Sequence, residues 1–411
     1  MGAKRGIAIA AAVLALSSAS AMAATFDVTR FDDPASSGTG LSLREAVLAA
    51  NATPGPNTIT LHAGTYRLTI RGEDATSVAG DLDITSTIIV EGDPGGRTVI
   101  DAKRCRDRAF EVFGSGDLTL RHVTIKGGNA VTSGGAIFSV GALTVEHSKF
   151  VGNKTGNQGA GIGCEAGTCT LTDCVFLRGR ALNDGGACAF ENSTFATLLR
   201  VTMSGNFAVD TDGAVDSDGG ATVSIADSTV SGNKSKNEGG GLDPSVGTLT
   251  VTNTTISGNR SLKGGAIQLE SGGFLNLDHC TIAFNHAREG AGLWTEAGTV
   301  ASVHATIIAK NVPRDCFGPI TSAGSNLIGN GDGSILTGDL TGNQVGSSRR
   351  PLHPINPRLG PLARNGGPTK THALLSTSPA INAVVGVDTL SADQRGLART
   401  GVRDIGAFEV Q

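Results

Sequence analysis

Residues 249–259 have the sequence Leu-Thr-Val-Thr-Asn-Thr-Thr-Ile-Ser-Gly-Asn, and residues 143–153 and 223–233 follow the same pattern. In each copy, apolar or small residues stand ten, eight, five and three positions before the closing Asn. This alternation predicts short strands with one buried face. Because the pattern recurs along the chain, it predicts a repeat architecture rather than a domain with one unique core.

A second marker fixes the phase of this repeat. A Gly-Gly-Ala-Ile signature, or a close variant, recurs at intervals of 25 to 27 residues. The signature begins at Gly134, Gly159, Gly185, Asp212, Gly239, Gly264 and Gly290, with a degenerate copy at Asp315. The closing Asn falls at Asn153, Asn206, Asn233, Asn259, Asn285 and Asn311, with Gly179 filling the gap. Two markers in one phase exclude a chance match.

Short strands repeated in this way pack best when like residues stack into ladders. We therefore predict an all-β fold, a right-handed parallel β-helix of about ten coils spaced about 4.8 Å apart. The composition agrees, because 59 glycines against one Trp and one Tyr leave few aromatic residues for a conventional core. Gly and Asn are expected to supply the left-handed dihedrals of the tight corners.

The β-helix is expected to span residues 58–345, between two caps that cover its open ends. Residues 24–57 are predicted to form the N-terminal cap, with Ser42 and Glu45 as a capping box on a short helix. Residues 346–411 are rich in Pro and Gly and break the period, which predicts an irregular C-terminal cap or tail.

The first 23 residues carry the pattern of a signal peptide. Lys4 and Arg5 precede an apolar run over residues 7–16, and Ala21-Met22-Ala23 predicts cleavage after Ala23. We therefore expect a secreted or cell-surface protein. The apolar run is too short to cross a membrane, and no other stretch reaches about 18 apolar residues, so no transmembrane segment is expected in the mature chain. A net charge of -4 argues against a nucleic-acid partner.

Both ends of the chain resemble exported bacterial proteins. Residues 41–47, Leu-Ser-Leu-Arg-Glu-Ala-Val, resemble the domain named for its Cys-Ser-Leu-Arg-Glu-Ala motif, with Leu41 replacing the cysteine. The C-terminal stretches resemble the choice-of-anchor Q β-helix proteins, and they are residues 357–362, 365–369, 378–381, 393–396 and 404–409. The middle resembles pectate-lyase-like β-helix repeats and, more weakly, the repeats of polymorphic outer-membrane adhesins. These resemblances imply the fold and export, but no single activity.

Acidic side chains are predicted to stack on the outward face of the strand that follows each signature. One column holds Glu165, Glu191, Asp218, Ser245, Glu270 and Glu296, and its neighbour holds Asp216, Asp243, Gln268 and Trp294. Carboxylates on adjacent coils, about 5 Å apart, repel one another. Such a face is either solvated, and then prevents lateral association, or it binds a ligand.

The ligand-binding interpretation assigns roles to particular residues. Asp216, Asp218 and Asp243 are candidate calcium ligands, because a divalent cation would relieve their repulsion. The same three are the candidate catalytic residues of a polysaccharide lyase or glycoside hydrolase acting in an acidic groove on coils three to five. Candidate ligand-binding residues on this face are Glu191, Glu270, Trp294 and Glu296, of which Trp294 is expected to stack on a sugar ring.

The sequence favours binding over catalysis. A lyase needs a cation and an Arg, Lys or His base, and the acidic coils offer little of this. The Gly-His-Gly and Arg-x-Lys motifs of polygalacturonase-type β-helices are not found in the sequence. We therefore predict a binding or adhesion protein whose ladder face contacts extracellular polysaccharide or a cell-surface ligand. The alternatives are the lyase or hydrolase and a calcium-stabilised structural rod.

Histidine and cysteine positions give further expectations. Cys164 and Cys169, five residues apart across a corner, are the best disulfide candidates, and Cys174 with Cys188 comes next. Four histidines are expected to point to solvent on separate coils, without a shared role, namely His122, His147, His279 and His304.

Overall fold

The computed structural model describes residues 23–33, 38–72, 74–270, 272–349 and 351–411. Over these ranges the chain is a right-handed parallel β-helix, which confirms the predicted fold class. The signal-peptide pattern up to residue 22 lies outside the described residues. No helix in the described ranges is long and apolar enough to span a bilayer.

Three columns of parallel strands form the walls of the β-helix. The first face consists of Thr25–Val28, Asn57–Leu61, Thr87–Glu91, Asp117–Arg121, Ala142–Glu146, Thr168–Thr172, Phe195–Leu199, Ala221–Ala226, Gly247–Thr252, Gly273–Asp278, Val300–His304, Cys316–Ala323 and Ser334–Asp339. The second face consists of Gly64–Arg67, Thr98–Asp101, Val123–Lys126, Lys149–Val151, Val175–Leu177, Thr202–Ser204, Thr229–Ser231, Thr255–Ser257, Thr281–Ala283, Ile307–Ala309, Leu327–Ile328 and Gln344–Val345. The third face consists of Leu82–Ile84, Phe110–Val112, Ile137–Ser139, Ile162–Cys164, Cys188–Phe190, Val215–Ser217, Leu242–Pro244, Ile267–Leu269 and Leu293–Thr295.

Two smaller sheets complete the strands. A parallel ribbon at one corner is formed by Asn129–Ala130, Lys154–Thr155, Arg180–Ala181 and Phe207–Ala208. An antiparallel pair in the C-terminal segment is formed by Leu359–Ala363 and Thr371–Leu374.

Equivalent residues of successive repeats lie level with one another. Val223 pairs with Leu249, and Leu249 pairs with Leu275, so one aliphatic ladder runs through three coils. The rings of Phe150 and Phe176 stack in the same way, with centroids 4.6 Å apart. The repeat period therefore sets the register, because each coil places the same side chain at the same point of the core.

The repeated Asn forms a buried hydrogen-bonded ladder. Nδ2 of Asn206 donates to Oδ1 of Asn233, and the same bond recurs at 2.9–3.0 Å at each step up to Asn311. The left-handed residue is the one before the Asn, such as Gly232 with φ of 64°. Asn253, with φ of 45°, supplies a left-handed corner as expected, whereas the closing Asn residues of the repeat satisfy buried polar groups along the rod.

The helix Leu43–Ala52 covers the N-terminal end as expected. Ser42 Oγ accepts a hydrogen bond from the Glu45 amide, and the Glu45 carboxylate accepts one from the Ser42 amide, which confirms the capping box. Arg44 is buried and pairs with Asp33 at 2.6 Å. The guanidinium also donates to three backbone carbonyls, those of residues 77, 80 and 81, so it binds the helix to the first coils.

The corner between the first and second faces is left-handed without glycine. Its column has φ between 42° and 56° and consists of His122, His147, Asp173, Arg200, Asp227, Asn253, His279 and Ala305. The C-terminal segment lies along this corner. Arg399 donates to Asn253 at 3.0 Å, Gln394 accepts from Thr255 at 2.6 Å, and the Gly406 amide donates to the carbonyl of Ala305 at 2.8 Å.

The cysteines match the first of the two predicted pairings. Cys164 and Cys169 form a disulfide across the corner that follows the third face. Cys174 and Cys188 are both buried free thiols, so the second candidate pair is not joined. Both fill inward positions of the core, where Cys behaves as a small hydrophobe.

Candidate functional site

The predicted acidic columns come together on the third face. Asp216 lies level with Asp243 on the next coil, and further along Gln268 lies level with Trp294. We call Glu191, Asp212, Asp216, Asp243 and Glu270 together the acidic ladder. They occupy four successive coils, with Asp212 and Asp216 on the same coil, so carboxyls recur along the rod at the spacing of the strands.

The centre of the acidic ladder is buried, which corrects the expectation of a solvated face. The exposed fraction of the residue is 4% for Asp216, 2% for Asp243 and 1% for Asp212. The signature glycines explain this burial. A Cβ atom added to Gly239 would lie 2.5 Å from Oδ1 of Asp212 and 3.0 Å from Cβ of Asp243, so glycine lets the backbone approach closely over the carboxyls.

Burial changes the ionisation of these groups. It raises the pKa values of Asp212, Asp216 and Asp243 well above the usual Asp range, and the neighbouring carboxylates raise them further. Thr211 Oγ1 donates to Asp212 at 2.8 Å. The centre of the ladder therefore holds protons at a pH where exposed aspartates are ionised.

Glu191 lies at the edge of this cluster and is half-buried. Desolvation, followed by the charges of Glu165, Asp218 and Asp184, raises its pKa to about 7. Its Oε1 is buried without a hydrogen-bond partner in the described chain. A carboxyl with this pKa donates or accepts a hydrogen bond near neutral pH, and the same property suits a general acid.

The far end of the ladder combines polar and aromatic groups. Gln268 is fully buried, and its Nε2 donates to Glu238 at 2.8 Å and to Glu270 at 2.7 Å. Glu238 also pairs with Lys263 at 2.8 Å. These hydrogen bonds outweigh desolvation and lower the pKa of Glu238, whereas desolvation and the nearby Glu238 raise that of Glu270.

Trp294 is placed differently from the expectation of an open sugar platform. Its ring stacks parallel to that of Phe317 with centroids 6.3 Å apart, and Lys263 Nζ lies 5.2 Å from the ring centroid. Both faces of the indole therefore have neighbours on adjacent coils. A ligand approaching this half-buried side chain meets the ring edge first. Glu296, the last predicted ligand-binding residue, is exposed two positions further on.

The residues proposed for calcium do not converge on one point. Within the described ranges, the carboxylate and histidine groups whose ligand atoms all lie within 4.8 Å of one another are Asp278, His279 and His304, and Asp81, Asp83 and Glu111. Asp216, Asp218 and Asp243 form no such group. Asp218 instead accepts a hydrogen bond from the Gly219 amide at 2.6 Å. Calcium at the acidic ladder therefore stays a prediction.

The histidine expectation is wrong in two respects. His279 is fully buried rather than exposed, and it contacts His304 edge to face with ring centroids 5.6 Å apart. His122 and His147 stack in parallel at 5.2 Å. Each pair lies on two adjacent coils at the same corner, because a period near 26 residues brings like positions together.

Comparisons with known proteins add little to this geometry. No protein-family model and no curated protein matches the chain, so the resemblance to choice-of-anchor Q and Cys-Ser-Leu-Arg-Glu-Ala proteins stays a prediction. A crystal structure of the pectate lyase Pel9A is similar, with 14% identity, a TM-score of 0.46, and coverage of 94% of this chain and 96% of that one. The A-modules of two Azotobacter vinelandii mannuronan C-5 epimerases are also similar. The AlgE6 module has 16% identity and a TM-score of 0.43, and the match covers 78% of this chain and 94% of the module. The AlgE4 module has 16% identity and a TM-score of 0.36, and the match covers 75% of this chain and 93% of the module. Function is therefore inferred from the acidic ladder itself.

Proposed function

We propose that this protein is an exported binding protein that holds a neutral polysaccharide along the acidic ladder. The observation that carries the proposal is the parallel register of the third face, which repeats a partly exposed carboxyl on successive coils, as with Glu191 and Asp218, the residues that follow the paired Phe190 and Ser217. Neighbouring coils lie about 4.8 Å apart, so an extended glycan that lies along the rod crosses several coils. Successive units therefore meet equivalent polar groups.

The ionisation of the ladder favours a neutral glycan. Hydroxyl groups both donate and accept hydrogen bonds, and carboxyls near their pKa, such as Glu191 at about 7, do the same. A polyuronate would bring more carboxylates to an acidic surface and be repelled.

Export is part of this proposal. It is supported by the signal-peptide pattern that ends at Ala23 and by the disulfide between Cys164 and Cys169, which suits an oxidising compartment. Sequencing the N-terminus of the protein recovered from the culture medium or cell surface tests it. A mature chain that begins at Ala24 is the expected result, and an intact Met1 in the recovered protein contradicts it.

The binding test is affinity electrophoresis in gels that contain neutral polysaccharides or polyuronates. We expect at least one neutral glycan to retard the protein, and Glu191→Gln to weaken that retardation about tenfold. Glu289→Gln is the matched control, because this exposed glutamate lies outside the acidic ladder. Retardation by polyuronates alone, or equal retardation of both variants, contradicts the proposal.

A glycoside hydrolase is the second candidate, and the pKa of Glu191 favours it. A general acid works best when its pKa lies near the working pH. Incubation with the glycans that bind, followed by an assay of reducing ends, separates the two functions. Release of reducing ends by the wild type and its loss in Glu191→Gln would establish the hydrolase. Binding without any release is the result that our proposal expects.

A further inference from the structure

A carboxyl and two imidazoles meet at the left-handed corner, away from the acidic ladder. Nδ1 of His279 lies 2.7 Å from Oδ1 of Asp278, and Nδ1 of His304 lies 2.8 Å from the same oxygen. The three ligand atoms all lie within 4.8 Å of one another. The residues come from two adjacent coils, at the end of the first-face strands and in the corner that follows.

The other nitrogen of His279 faces a second carboxyl. Nε2 lies 2.9 Å from Oδ2 of Asp388, without the alignment of a hydrogen bond, and Asp388 belongs to the C-terminal segment and also pairs with Arg403 at 3.0 Å. The side chain of His279 is fully buried and that of Asp388 is 5% exposed. A histidine that ligates a metal through one nitrogen commonly gives its other N–H to a carboxylate, which fixes the tautomer and strengthens the ligand.

We propose that Asp278, His279 and His304 form a binding site for a divalent transition-metal ion, with zinc as the best fit. Two imidazoles and one carboxylate are a ligand set that zinc uses, with a fourth position left for water. Tetrahedral zinc bonds of about 2.0–2.1 Å separate the ligand atoms by about 3.3 Å. The two close pairs at 2.7 and 2.8 Å therefore open by about half an ångström to admit the ion.

The surroundings of the site suit a cation that enters from solvent. The side chain of Asp278 is 40% exposed and that of His304 is 25% exposed, so the open position faces water. Asp278 and Asp388 are the carboxyls in contact with His279, Asp339 adds a longer-range negative charge near His304, and Arg403 is held by Asp388. Since Asp388 contacts a ligand, the ion would strengthen the docking of the C-terminal segment on the coils.

Titration calorimetry of the chelator-stripped protein with zinc tests the proposal, together with the visible absorption of the cobalt form. We expect one ion per chain and a cobalt spectrum of tetrahedral type. His304→Ala should lose at least tenfold in affinity, and Asp388→Asn should lose tenfold or more through the ligand that it orients. His147→Ala is the matched control, because its imidazole lies at the same corner, 3.8 Å from Asp173.

The outcomes are distinct. The side chain of His304 is 25% exposed and lies outside the apolar core, so this variant can be measured even if a change at His279 prevents folding. No heat and no cobalt spectrum with the wild type, or equal zinc affinity of wild type and His304→Ala, overturns the proposal. In that case the cluster only joins the C-terminal segment to the coils, and the variants lower the melting temperature equally with or without metal. Neither result depends on glycan binding.

Discussion

Replacing Asp216 by Asn is expected to stabilise the protein above pH 5 and to have little effect near pH 4. Burial and the surrounding carboxylates hold the pKa of Asp216 well above its usual value. Between the ordinary Asp pKa and the raised one, the folded chain binds more protons than the unfolded chain. The stabilising contribution of this proton is complete below the unfolded pKa and is lost as the pH rises towards the folded pKa.

The magnitude follows from proton linkage. When the folded state binds one proton that the unfolded state does not, the free energy of unfolding falls by about 1.4 kcal/mol for each unit by which the pH rises. From pH 5 to pH 7 the wild type should therefore lose up to about 2.7 kcal/mol through this group, by the same relation. Asparagine has nearly the same shape and binds no proton, so the unfolding free energy of the variant should fall less between pH 5 and pH 7.

The measurement is calorimetric melting at each pH unit from 4 to 8. The melting curves of wild type and Asp216→Asn should coincide at pH 4 and separate steadily above pH 5, with the variant melting higher. Glu289→Gln serves as the control, because this exposed carboxyl should alter the pH profile little. Profiles of wild type and Asp216→Asn that run parallel from pH 4 to 8, or a variant that melts lower at pH 7, would refute the reasoning.

Two further predictions concern the ladders of the rod. Calcium bound by Asp216, Asp218 and Asp243 would neutralise their charge, so it should raise the melting temperature at pH 8. Asp243→Asn should abolish this rise. A melting temperature that changes with neither calcium nor chelator contradicts the site. Asn259→Ala removes an amide that donates to Asn285 and accepts from Asn233, both at 3.0 Å. Leaving such buried groups unpaired costs about 1–3 kcal/mol each, so denaturant unfolding should show a loss of this size, whereas the exposed Asn237→Ala should show little.

The fold could be predicted because each of its determinants is local and repeated. Alternation at Val223 and Ile225 marks a strand, and the same apolar pattern at Leu249 and Val251 sets the register of its neighbour. Even the disulfide follows from sequence, since Cys164 and Cys169 are separated by one corner. The sequence marked the closing Asn of each repeat but not its role, because periodicity alone does not show that the side chain forms a buried hydrogen-bonded ladder.

The burial of the acidic ladder could not be read from strand alternation. Alternation separates inward from outward positions of a strand, and it placed Asp216 outward. Whether an outward side chain reaches solvent depends on the chain segment that passes over it. The signature glycines indicated this burial, because a position such as Gly239 has no room for a Cβ atom only when another group packs against it.

The histidine cluster was missed for a different physical reason. The residues that bury and orient His279 are not in its own repeat, since Asp388 lies over a hundred positions further on and belongs to a segment without periodicity. A repeat predicts contacts at one period, as between His279 and His304, but it predicts nothing about a segment that docks from the side. The C-terminal segment binds Asn253, Thr255 and His279 through their side chains. Polar residues at the left-handed corner are therefore its docking surface, and a metal ion at His279 would act on that docking directly.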